Sequence, residues 1–145
     1  MEVSARRWGA FATFGLLFTL PQPVSAAEPC KLLTEQEIGQ VLGVSVSSAP
    51  VGTTGCIWAG GSQKVSIVVR PATAWARITA PSPGSTKTSV SGLGDAAQYS
   101  GKDEAVTLSV KQGANVIVLT VYGVKGAERQ RSLEESLARL ALRRL

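Results

Sequence analysis

Residues Ala105–Tyr122 read AVTLSVKQGANVIVLTVY. In the first half, Val106, Leu108 and Val110 alternate with Thr107, Ser109 and Lys111. Successive side chains of a strand point to opposite faces, so this is a strand with one apolar face. Gln112-Gly113-Ala114-Asn115 has the composition of a turn. Val116 to Tyr122 is apolar on both faces, the mark of an inner strand. A hairpin with one strand deep in a sheet sets the frame for the rest of the chain.

A second hairpin of the same build lies upstream. Gly55–Ala59 reads as a strand, Gly60-Gly61-Ser62-Gln63 as a turn, and Lys64–Arg70 as the return strand. Cys56 and Trp58 share one face, as do Val65, Ile67 and Val69, and Trp58 is expected to pack over a disulfide in the core. Val44–Val46 and Ala96–Tyr99 are expected as short strands, the latter after a Gly92-Leu93-Gly94-Asp95 turn. Residues 33–43 carry helix signals. Thr34 and Glu37 form a capping box, Leu33 and Ile38 a hydrophobic staple, and Gly43 a stop. Leu133, Leu137, Leu140 and Ala141 recur at helical spacing over residues 127–143. Segment 71–91 holds Pro71, Pro81, Pro83 and Gly84, which read as a helical turn followed by an exposed loop. The predicted fold class is α+β: an antiparallel β-sheet of about five to six strands, an N-terminal and a C-terminal helix packed on one face, and one disulfide.

The 145 residues allow one domain of ordinary size. Residues 1–26 read as a secretory signal peptide and 27–145 as a single domain. Arg6 and Arg7 precede an uncharged run from Trp8 to Leu20, and Val24-Ser25-Ala26 offers a cleavage site. That run is short of the ~20 residues a membrane-crossing helix needs. Losing Glu2, Arg6 and Arg7 would leave a net charge of +4, 13 basic against 9 acidic residues. The expected location is periplasmic or secreted, with no transmembrane span in the mature chain. Cys30 and Cys56 have only each other, and an oxidising compartment favours their pairing.

The chain has no histidine. That removes Ser-His-Asp and Cys-His chemistry and any imidazole metal site. No Gly-rich loop leads into a helix with a phosphate-binding Lys-Ser/Thr pair. The sequence therefore assigns no catalytic residue, no metal ligands and no cofactor. Asp95, in its Gly-Leu-Gly-Asp setting, is the one suggestive carboxylate; its ordinary role is to close a turn through backbone amides. The basic balance suits nucleic acid, but arginines interleaved with glutamates on the last helix read as a solvated face, and no nucleic acid partner is expected.

Cys30-x-Leu32-Leu33-Thr34-x-x-Glu37, Leu42-Gly43, Gly55-Cys56-x-Trp58 and Val90-Ser91-Gly92-Leu93-Gly94-Asp95-Ala96, followed by a hairpin and a closing helix, form a set. This set resembles a large group of small exported bacterial proteins, a domain-of-unknown-function family with many actinobacterial lipoproteins. The resemblance implies an exported two-cysteine α+β domain and no particular activity. The chain departs from the lipoproteins in that Ala27-Glu28-Pro29 before Cys30 does not make a lipobox.

If Cys56, Trp58, Val65 and Val106 face the core, the opposite sheet face collects Ile57, Val68, Val116, Val118 and Tyr122. With Trp75 of the loop they form the candidate binding surface. An apolar β-face left open marks a partner site; the alternative is that segment 71–91 folds over it. The leading expectation is an exported, non-catalytic domain that binds a protein or a small apolar ligand in the envelope or outside the cell. An inhibitor or regulator of an exported enzyme, a small carboxylate-dependent hydrolase using Asp95, self-association through the apolar face, and charge-held attachment to the envelope are the alternatives.

Overall fold

A computed structural model describes residues 27–102 and 105–145. The expected signal peptide lies outside the described residues. A 3-10 turn at Pro29–Lys31 leads to α1 (Glu35–Leu42), then β1 (Ser47–Val51), β2 (Gly55–Gly60) and β3 (Gln63–Pro71). A 3-10 turn at Ala72–Ala74 runs into the short α2 (Trp75–Thr79). The chain continues through β4 (Thr86–Val90), β5 (Ala96–Lys102), β6 (Ala105–Gln112), β7 (Asn115–Tyr122) and α3 (Ala127–Leu142). The strands make one antiparallel sheet of seven in the order β1-β2-β3-β7-β6-β5-β4. The class is α+β as expected, with more strands than the sequence pattern suggested.

The extra strand is β4. Its sequence, Thr-Lys-Thr-Ser-Val, has almost no apolar residue, and it sits in a stretch rich in breakers. It forms because it needs only one partner, β5, and has no inner position to fill. The first strand also differs from expectation. It runs over Ser47–Val51, not Val44–Val46, and contains Pro50. Proline cannot donate to a ladder, but an edge strand tolerates it.

Both main helices pack on one face. Cys56, Trp58, Val65, Ile67, Leu108, Val110, Ile117 and Leu119 have no solvent exposure and meet Ile38 of α1 and Leu137, Ala138 and Ala141 of α3. The period-2 reading of the two hairpins thus identifies the core face. The α1 capping box is complete: the Glu37 amide donates to Thr34 Oγ1 at 3.1 Å, and the Thr34 amide donates to Glu37 Oε2 at 2.9 Å. Gly43 ends this helix at φ 75°, a left-handed conformation that costs other residues more. Cys30 and Cys56 are joined by a disulfide, which ties the 3-10 turn before α1 to β2. No helix of the described residues is long and apolar enough to cross a membrane.

Candidate functional site

The outer face is built by strand register. Arg70, Val116, Lys111 and Ala96 lie in one row across β3, β7, β6 and β5. The next row holds Val68, Val118, Ser109 and Gln98, and a third holds Ile57, Ser66 and Thr120. Ala59, Lys64 and Tyr122 make the row at the far end. Thr107 and Thr120 join across β6 and β7 through hydroxyls 3.0 Å apart.

Topology decides how much of this face is open. β3 lies inside the sheet and β4 at its edge, so the connection between them must cross β7, β6 and β5. The core face is filled by α1 and α3, and the crossing segment passes over the outer face. It is pinned at its start and near its middle. The Ala72 amide donates to the Ala114 carbonyl at 2.8 Å, and Lys87 Nζ donates to the Ile78 carbonyl at 3.2 Å. Val68 and Val118 of the sheet then line a groove of about 180 Å³ together with Ala74 and Ile78 of this strap.

The candidate surface residues therefore stand in different settings. Val116 is fully buried, so it can touch no partner in this conformation, and its reading as a contact residue is corrected. Outward-facing Ser109 is sealed with it. Ile57, Val68, Val118 and Trp75 are half-buried. Tyr122, at the end away from the strap, is 50% exposed, with Lys64 Nζ 5.8 Å from its ring centre. Of the two readings of segment 71–91, cover holds over Val116 and openness holds around Ile57 and Tyr122.

Asp95 has a structural partner. Its Oδ2 accepts the Gly113 amide at 2.8 Å, while its own amide donates to the Lys111 carbonyl at 2.8 Å. It closes not its own turn but the turn between β6 and β7. The preceding Gly94 has φ 58°, and a side chain there would press on the Lys111 carbonyl at 2.6 Å.

The pattern of the last helix reads its glutamates as part of a solvated face, and Glu134 departs from that reading. It is fully buried between α3 and the sheet. Its Oε1 accepts the Val121 amide at 3.0 Å and Gln130 Nε2 at 3.1 Å, and Gln130 Nε2 also donates to the Val106 carbonyl at 2.9 Å. Its Oε2 has no hydrogen-bond partner among the described residues. Burial pushes the carboxyl up to about 7, against the pull of the Val121 amide, Gln130 and Arg131. Nearby, Tyr99 donates to the Arg131 carbonyl and to Glu135 Oε1, both at 2.9 Å. The signal was available: Glu134 and Gln130 lie seven residues before Ala141 and Leu137 and continue the same helical stripe.

Comparison with family models, with curated proteins and with solved structures gives no match.

Proposed function

We propose that this chain is an exported, non-catalytic binding domain that holds a protein partner against the open end of its outer sheet face. The observation that supports the reading is the exposure of Tyr122 on β7, with half-buried Ile57 one row away on β2, on a face whose other end the strap partly covers. An exposed aromatic among Ser and Thr hydroxyls, on a rigid sheet, suits a contact that gains from burial. The leader at residues 1–26 and the resemblance to small exported two-cysteine proteins support export, and the Cys30–Cys56 disulfide fits an oxidising compartment. Asp95 and Glu134 both hold backbone amides, which favours binding over hydrolysis.

The test is capture by oxidised residues 27–145, immobilised and exposed to envelope extract and culture fluid. A partner retained by the native domain and lost by Tyr122→Asp supports the reading. Equal retention by both removes the sheet face from it.

A further inference from the structure

The strap end of the outer face carries chemistry of a different kind. Arg70 of β3 and Arg77 of α2 line the apolar groove formed by Val68, Ala74, Ile78 and Val118. The same two arginines line an adjoining cleft with Pro71 and Thr73. Neither takes part in the ion pairs or side-chain hydrogen bonds found among the described residues. By contrast, Arg139 pairs with Glu135 and Arg144 with Glu37. Among the described residues, every charged side chain that the strands direct outward is a cation: Lys64, Arg70, Lys87, Lys102 and Lys111. The face thus holds positive charge with no described carboxylate of its own to balance it.

We propose that Arg70 and Arg77, with the groove they line, form a binding site for a phosphate monoester bearing a short apolar substituent. Two guanidinium groups match a phosphate monoester, which carries about −1.5 to −2 charges at neutral pH. A carboxylate would leave one guanidinium without a counter-charge. Guanidinium also presents paired N–H groups suited to phosphate oxygens. Val68 and Val118 on the sheet and Ala74 and Ile78 on the strap are all buried or half-buried, so they receive a substituent and do not enter a bilayer. The groove of about 180 Å³ has room for a short chain or a single ring.

The experiment titrates hexyl phosphate, inorganic phosphate, hexanoate and hexanol into oxidised residues 27–145, followed by amide NMR shifts. Hexyl phosphate should saturate, with the largest shifts at Val68, Ala74, Ile78 and Val118. Inorganic phosphate and hexanoate should each bind about tenfold more weakly or worse, and hexanol should not saturate. Arg70→Gln and Arg77→Gln should each weaken hexyl phosphate about tenfold, while Arg129→Gln on α3 leaves it unchanged. Tyr122→Asp should also leave it unchanged, which separates this site from the protein contact proposed above. Equal affinity for inorganic phosphate or hexanoate, indifference to both arginine substitutions, or absence of saturation would overturn the site. Binding to phosphatidic acid vesicles without binding to monomeric hexyl phosphate would mark a membrane-docking face and overturn it as well.

Discussion

Glu134, on a helix, accepts the backbone amide of Val121, on a strand, at 3.0 Å with no access to water. The carboxyl is pushed up to about 7 by burial. A carboxyl raised above its unfolded value of 4.5 binds its proton more tightly when folded. Folding is therefore favoured at low pH, and that stability is lost as pH rises from about 4.5 to about 7. The full loss is on the order of 3 kcal/mol. Chemical denaturation from pH 4.5 to 8 should show this decline, and Glu134→Gln should flatten it.

At the acid end the sign reverses. Arg144 grips Glu37 with two hydrogen bonds, of 2.8 and 2.7 Å, and joins the C-terminus to α1. These bonds hold the Glu37 carboxyl down at about 2, although partial burial works the other way. Its contribution is complete above about 4.5 and is lost as pH falls through about 2. Taken with Glu134, stability should peak near about pH 4.5. Arg144→Ala should erode the acid side of that peak and leave the decline toward pH 7 intact, as read by melting temperature across pH.

The disulfide constrains a chain separation of 26 residues. The chain-entropy model gives about 3–4 kcal/mol for such a loop. Reduction, or Cys30→Ser with Cys56→Ser, should lower the unfolding free energy by about that amount. A loss much below 1 kcal/mol would mean that the unfolded chain already keeps these ends together.

Asp95→Ala removes the acceptor of the Gly113 amide and with it the link between two turns. An exposed bond of this kind is worth about 1 kcal/mol. Thermal unfolding should register a small drop, and partner binding should be unaffected. Loss of a catalytic turnover would instead contradict the non-catalytic reading.

The two hairpins and their core face were legible because burial on one side imposes a period of two, as in Val65, Ile67 and Val69 or Val106, Leu108 and Val110. Helix α1 was legible because Thr34, Glu37 and Gly43 are local signals. Edge strands carry no such imprint. Thr86–Val90 pairs on one side only and keeps a polar sequence, and Ser47–Val51 tolerates Pro50 for the same reason. The partial sealing of the outer face was hidden because it follows from strand order. Nothing local to Val116 reveals that the link from β3 to β4 must pass above it. Glu134 was overlooked because a carboxylate among arginines suggests a surface pair; its place on the Leu137–Ala141 stripe was the better guide.

The most direct test of the binding-domain account measures the captured partner's affinity for four single variants of residues 27–145. Ile57→Asp and Tyr122→Asp alter the open end of the outer face, whereas Arg129→Asp and Ser136→Asp alter exposed positions on α3. The first two should weaken binding by about tenfold or more, the cost of placing a charge in a contact that excludes water, and the last two should change it less than about twofold. Loss of binding through the α3 variants, with Ile57→Asp and Tyr122→Asp at native affinity, would contradict the binding-domain account.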